Sequence, residues 1–474
     1  MAAIGIIGGG ISGLSCAHYL KFLGGSKIKY IFLLEKGPKF GGWIQTTRFP
    51  DNAVFDHGPR TLRAGSKAGF NALTLAEELG LSSRILAIDR THTTARTNYI
   101  LKQNELHPLP RDFFSILKTR HPFNRPLISY LFKDLLTKSS KLEDETVFSF
   151  VDRRFGRDIA ENLIDPLCRG ISAGDARELS VRSMFPYLYE MENKYGSVVK
   201  GVLKDRENAA AAFMHSQLVQ KARSELWKMW TFKTGMSEFI DGLACSIEER
   251  GCDLLFNTNC SSIDFIGNKA KINVENEIIE VDHIFSAIPS YELSKLLPNN
   301  QSLANVLAKI PSVDVAVVYL EYENQLIKQQ GFGFLSPSSE NSKVMGIVFD
   351  SCCFPQMNGT AKTRITCMMG GKWFSDIFGD VDTVSEDTIL QAAIKGAEMH
   401  LKISEQPVRH KVVIQKKCIP QYIFGHHKVL EKIDEEITKN NLCLSLIGAS
   451  YKGAGVPDCI YNTKLSVEQF LKTL

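Results

Sequence analysis

Between Gly5 and Gly13 the chain reads Gly-Ile-Ile-Gly-Gly-Gly-Ile-Ser-Gly, after an apolar start and before a helix-like run, and Glu35 closes the next apolar stretch, Ile31-Phe32-Leu33-Leu34. That order is an adenine dinucleotide address. Gly8 permits the tight turn out of a first strand, Gly10 lets the backbone approach a pyrophosphate, and Gly13 lets the helix pack closely on the strand. Gly9, Ile11 and Ser12 complete the turn, and the helix N-terminus behind it faces phosphate. Glu35, about twenty residues past the last glycine, ends a second strand, where a carboxylate accepts both ribose hydroxyls and disfavours a 2′-phosphate.

Two further glycine turns follow, Gly41-Gly42-Trp43-Ile44 and Phe55-Asp56-His57-Gly58-Pro59-Arg60. A simple nicotinamide site does not call for them. They resemble the flavoprotein oxidase pattern, in which FAD lies extended and several backbone segments reach its ribityl and flavin portions. Near the C-terminus, Leu442 to Ser450 reads as a strand ending in small residues, and Gly453-Ala454-Gly455-Val456 opens a last helix. The amides of such a helix end suit a diphosphate or a flavin carbonyl, and would stabilise a flavin anion. Arg60 either supports a reduced flavin anion or pairs with Asp56; residue types alone do not choose.

These motifs need elements to hold them. The order strand, glycine turn, helix, strand from Ala2 to about Leu81 is half of a dinucleotide-binding domain. Thr91 to Leu109 alternates as a hairpin would, with Arg96 upon it. Asp112 to Lys141 turns helical, with aromatic and aliphatic residues interleaved with six cations against two acids, a local excess of +4. Its apolar face suits either a core or an anionic membrane surface. Helix is expected over Thr146–Phe155 and Ile159–Cys168, broken at Arg169 to Gly174, and long polar helices over 185–228, with a loose charged middle around Lys204 to Asn208. Gly251 to Ile263 reads as a strand pair returning to the nucleotide sheet. Strands at 313–321, 344–349, 364–369 and 408–415 predict a mixed sheet roofing a pocket.

The expected fold is α/β: a Rossmann-like FAD-binding domain (1–85, 229–290, 439–474), a mixed-sheet substrate domain (86–92, 196–228, 291–438) and an inserted helical membrane-associating domain (93–195). With 474 residues, 44% hydrophobic and 23% charged, the chain has length for two or three domains. A net charge of +4 gives no case for nucleic acid. Eleven cysteines without a C-x-x-C pair suggest neither zinc nor a redox dithiol. Cys352-Cys353 reads as two buried thiols in a strand, and His426-His427 as a loop pair, so no metal is expected. Glycines starting at position 8 leave no room for a cleavable presequence, and no window reaches membrane-spanning length.

The first fingerprint, the Gly-Gly-Trp-Ile and Asp-His-Gly-Pro-Arg turns, Asp165-Pro166-Leu167-Cys168-Arg169-Gly170, Gly331-Phe332-Gly333-Phe334-Leu335 and Gly448 to Cys459 together resemble the mitochondrial-type protoporphyrinogen oxidases, within the flavin-containing amine oxidase superfamily. The resemblance spans essentially the whole chain. It implies non-covalent FAD and oxidation of protoporphyrinogen IX to protoporphyrin IX by molecular oxygen, with peroxide released. It implies FAD contacts from Gly8 to Gly13, Glu35, Gly42, Gly58, Pro59, Arg60, Thr61, Ala454, Gly455 and Val456, with Cys260 beside the adenine and His427 at a position that is aromatic in relatives. Pro457, next to the flavin turn, is a second departure. Arg96 is implied to pair with a propionate, Phe332, Leu335 and Met368 to sandwich a pyrrole, and Gly170 to lie beside the macrocycle. A homodimer on the outer face of the mitochondrial inner membrane, with ferrochelatase as a product acceptor, is also implied.

The chemistry suits these types. A bent apolar tetrapyrrole with carboxylates on one edge needs an apolar slot and cations at its mouth. Hydride leaves a bridging methylene for flavin N5 while a pyrrole nitrogen loses its proton; the electron-rich ring stabilises the product, so no side-chain base is required. Two rivals remain in view. An amine oxidase of the same superfamily would bring an aromatic cage and a lysine near N5, neither of which is evident. A non-enzymatic flavin protein would keep the glycines and lose the pocket.

Overall fold

The computed structural model describes residues 1–205, 208–275 and 277–474. Five parallel strands in the order Asp253–Leu255, Ile28–Leu34, Ala2–Ile7, His283–Ser286 and Leu444–Leu446 form the nucleotide sheet. Its strands are apolar runs because both faces are covered. On one side helices Ile11–Gly24, Lys67–Glu78, Ser237–Glu249 and Val456–Leu471 share a core with Ile4, Ile6, Leu33 and Phe285. On the other, an antiparallel sheet of Cys260–Ile266, Lys269–Val274 and Glu277–Val281 packs with helices Gln301–Leu307 and His426–Lys439.

The second layer is a seven-stranded sheet, ordered Arg409–Pro420, Ser312–Tyr322, Thr363–Gly371, Val344–Val348, Gly333–Leu335, Tyr99–Lys102, Glu105–Pro108. All its pairings are antiparallel except that of Gly333–Leu335 with Tyr99–Lys102. Period-two alternation sorts its faces. Ala316, Val318 and Leu320 join Ile365, Cys367 and Met369 under helix Glu386–Leu401, whereas Val315, Val317, Tyr319 and Met368 meet Phe55 of the nucleotide unit.

After Glu105–Pro108 the chain builds a helical unit from Leu127–Leu136, Val147–Phe155, a π-turn Ala160–Ile164, Asp165–Ser172, Pro186–Tyr195 and Val198–Lys204. Phe150, Val151, Ala160 and Cys168 are among its buried core. Arg154 is wholly buried there, donating to Asp134, to Glu192 Oε1 at 2.7 Å and to the carbonyls of Asp134 and Gly196.

Several expectations are corrected. The Thr91–Leu109 hairpin is shorter: Thr93–Arg96 is one helical turn, and only Tyr99–Pro108 pairs, as the edge of the seven-stranded sheet, so the helical unit begins after it. Asp253–Leu255 alone rejoins the nucleotide sheet, while Cys260 starts a separate one. The helix through Cys168 does not break at Arg169; it carries Gly170 internally and ends with Ala173 left-handed. Cys352 and Cys353 lie in a short helix as free thiols. The polar stretch 185–228 folds as short helices, and residues 206 and 207 of its charged middle lie outside the described residues. Helix Ile11–Gly24 buries ten of its fourteen residues, more than an amphipathic surface helix would.

Candidate active site

The first glycine turn closes on itself as its spacing requires. A Cβ on Gly13 would stand 1.9 Å from the Gly8 carbonyl oxygen, so only glycine lets helix and strand meet; in front of Gly10 the same test finds nothing within 4 Å. No side chain caps this helix at Gly10, leaving its first amides for a ligand. Glu35 is fixed by two backbone donors, Gly9 N to Oε2 and Gly37 N to Oε1, both at 2.8 Å. The loop before Cys260 closes on it through Thr258 N to Glu35 O and Asn257 N to Gly37 O, which sets the buried Cys260 at the head of the next strand.

The other turns converge on this one. Gly41 N donates to Gly9 O at 2.9 Å, and a Cβ on Gly42 would lie 3.6 Å from Gly10 Cα. A Cβ on Gly58 would lie 3.3 Å from the Trp43 carbonyl oxygen. From the C-terminal side, Gly448 approaches the Ser12 hydroxyl, and Ser12 reaches the Cys459 thiol. Gly455 begins helix Val456–Leu471 without a side-chain cap, and Pro457 occupies its first turn, where a missing N–H costs nothing. Asp458 folds back beside Gly453 and Gly455, and burial raises its pKa. Two uncapped helix ends, three glycine turns and a tethered carboxylate thus fit an extended dinucleotide bearing a flavin.

His427 is the exception. Its ring lies 3.2 Å from Glu143 and 3.4 Å from Asp144, turned toward the helical unit. His426 is the neighbour that touches the C-terminal turn, with Nε2 3.1 Å from the Tyr451 carbonyl and its ring stacked on Tyr422.

Beyond Gly58-Pro59 the chain enters a buried polar cluster. Arg60 lies 3.5 Å from Asp350 and over the ring of Tyr319. Asp350 accepts from Thr366 Oγ1 at 2.6 Å; Arg364 donates to the carbonyls of Val54 and Met357. Asp56 is occupied by Thr46 Oγ1 and Met236 N, and the carboxylate that Arg60 meets is Asp350. Burial pushes the Asp56 carboxyl up to about 6, against those hydrogen bonds. The cluster surrounds a cavity of about 20 Å³, room for a water. Among the described residues the Arg60 Nη1 and Nη2, Arg364 Nε and Tyr319 hydroxyl find no hydrogen-bond partner. Sequence reasoning missed Tyr319, Asp350, Arg364 and Thr366; a cation opening an apolar strand, as Arg364 does, was the available signal.

Two of the apolar residues expected at a substrate slot, Leu335 and Met368, lie on the same sheet face. Leu335 pairs with Gly346, Gly346 with Met368 and Met368 with Val317, one row across four strands. A Cβ on Gly346 would stand 2.7 Å from Phe334 O and 3.0 Å from Leu335 Cδ2, so Leu335 itself leans over the glycine. Gly170 closes the row, since a Cβ there would meet Leu335 Cδ2 at 2.4 Å. Its helix is clamped to that strand's end: Asp165 accepts from Ser338 N at 2.6 Å, and Arg169 donates to Ser336 O while lying over Trp373. Phe332 is set apart from the row, packed with Ala95, Met229 and Val348 beside the polar cavity. Arg96 is exposed at the end of its helical turn.

The family model for flavin containing amine oxidoreductases matches residues 11–433. Protoporphyrinogen oxidase from Bos taurus is 36% identical over 471 residues, covering 99% of this chain and 98% of that one; the Homo sapiens enzyme is 35% identical over the same length and shares. A solved structure from Exiguobacterium sp. 255-15 matches in fold with a TM-score of 0.79 at 21% identity, covering 100% of this chain and 99% of that one.

Proposed function

The chain belongs to the flavin containing amine oxidoreductase family, and from that premise we propose that it is an FAD-dependent oxidase converting protoporphyrinogen IX to protoporphyrin IX. The observation that carries this reading is the full-length match to cattle and human protoporphyrinogen oxidases. FAD, when bound, supplies the hydride acceptor at N5. The glycine turns, Glu35 and the helix end at Val456 hold it. The row Gly170, Leu335, Met368 receives an apolar ring and excludes water, fixing a methylene bridge against the acceptor. Arg96 holds a propionate at the mouth. Three such turnovers remove six electrons, oxygen takes them, and peroxide leaves.

The reading extends to a homodimer on the outer face of the mitochondrial inner membrane, passing product to ferrochelatase. Its membrane part is supported by the helical unit, where Phe132, Leu136, Val202 and Leu203 are exposed near Lys133 and Lys138; among the described residues no helix is long and apolar enough to cross a membrane. Anaerobic mixing of the holoenzyme with protoporphyrinogen IX tests the activity. Bleaching of the oxidised flavin band, then porphyrin fluorescence and peroxide once oxygen enters, is the expected result; an unbleached flavin sinks it and turns attention to amines.

A further inference from the structure

The cavity beyond the Gly58-Pro59 turn, about 20 Å³, has room for one small ligand, and Arg60, Arg364, Tyr319, Asp56, Asp350 and Cys353 are among the residues that line it. Four polar atoms of this lining have no hydrogen-bond partner among the described residues: Arg60 Nη1 and Nη2, Arg364 Nε and the Tyr319 hydroxyl. All four can donate. Tyr319 and Arg364 are each only 3% exposed, so bulk water does not serve them.

The nearby acceptors are already engaged. Asp56 Oδ1 takes Thr46 Oγ1 and Met236 N, Asp350 Oδ2 takes Thr366 Oγ1, and Asp350 Oδ1 stands 3.5 Å from Arg60 Nη1. A buried donor left unmet is costly, and more so on a charged group. A water offers two lone pairs and would leave half of these donors unserved, whereas a spherical anion accepts from every side.

We propose that the cavity is a binding site for a single halide-sized monovalent anion, held by Arg60, Arg364 and Tyr319. The ion anchors the guanidinium that follows a cofactor turn. It also brings a proton with it. Two guanidinium groups face two carboxylates, so the walls are neutral with both acids ionised and cationic once Asp56 is protonated. Burial places that step at about 6. Burial pushes the Tyr319 hydroxyl and the Cys353 thiol far above that range, and Glu321, opposite Arg364 in the sheet, is held by Arg409 Nε at 2.6 Å. Anion affinity therefore rises as pH falls through about 6.

Bromide is the probe, because its anomalous scattering marks it. Crystals of the FAD-loaded protein grown without halide and soaked in sodium bromide are expected to show a peak within hydrogen-bond distance of both guanidinium groups and Tyr319 Oη. In solution, bromide replacing gluconate at constant ionic strength should raise the melting temperature along a saturable curve. Tyr319→Phe keeps the ring beneath Arg60 and its stack on Phe55 and should weaken bromide binding about tenfold. Asp56→Asn should remove the pH dependence of that binding. A water or a flavin atom in the cavity without anomalous signal overturns the site. So does an adventitious ion only, with peaks confined to the surface or a melting response that Tyr319→Phe leaves unchanged. Flavin absorbance and circular dichroism check that each variant folds; where one does not, the wild-type bromide peak decides alone.

Discussion

Arg154 in the helical unit and Arg60 beside the glycine turns are both buried guanidinium groups next to carboxylates, yet their hydrogen bonds are accounted for in opposite ways. Arg154 spends its Nε and both Nη groups on Asp134, Glu192 and two carbonyls, and Asp134 is further held by Ser197 and by Val199 N. Arg60 meets Asp350 only at 3.5 Å and leaves both Nη groups without a hydrogen-bond partner. A buried charge with every donor satisfied is a brace. One held in place with donors to spare, beside a cavity and a cofactor turn, is arranged for something other than stability.

Arg154→Leu should do the most damage, because it strands Asp134 and Glu192 in the core. We expect a loss of about 3–5 kcal/mol in urea unfolding, with unchanged flavin content in whatever folds; a loss below about 1 kcal/mol would break the comparison. Arg60→Leu should cost the apoprotein less, about 1–3 kcal/mol, because Asp350 keeps Thr366. Its larger effect should be on flavin retention after dialysis, and full retention would remove the distinction.

Acid should then move the two regions in opposite senses. Burial raises Asp56 from 3.8 to about 6, so the folded state holds a proton that the unfolded state has lost; its contribution is present below pH 4 and disappears as pH rises to about 6. Glu192 is raised by burial but brought lower overall by Arg153 and Ser140, so its contribution is present above its ordinary range and is lost as pH falls through its depressed value. Asp56→Asn keeps both hydrogen bonds, since Thr46 and Met236 share Oδ1. Its stability relative to wild type should climb on the order of 2 kcal/mol between pH 4 and 6 and then level; parallel urea midpoints would refute this. The smallest effect is expected two residues from Asp134, where Leu136→Ser on an exposed face should change stability by no more than about 0.5 kcal/mol yet weaken sedimentation with anionic vesicles.

The glycine turns were legible in the sequence because their demands are local: Gly13 answers to Gly8, five residues away. The polar cluster was not, because Asp56, Tyr319, Asp350 and Arg364 come from distant segments and each reads alone as an ordinary strand or loop residue. The pairing of Phe332 with Leu335 came only with the resemblance; three residues apart, they fall on opposite faces of a regular strand, and Phe332 packs with Ala95, Met229 and Val348. The adjacent histidines are parted in the same way, by a helix start at His426 that aims one ring at Tyr451 and the other at Glu143.

The nucleotide sheet orders its strands so that Ala2–Ile7 lies centrally and Leu444–Leu446 at an edge. During synthesis the ribosome therefore releases the first phosphate turn early and the second one last, with the roof sheet and the helical unit emerging in between. The nascent protein must keep an open sheet edge at His283–Ser286 from the time that strand emerges until Leu444–Leu446 follows it, exposed to any other strand in reach. Because Leu444–Leu446 closes that edge and Gly453 to Val456 follow it directly, the same stretch of chain completes both the sheet and the second phosphate turn.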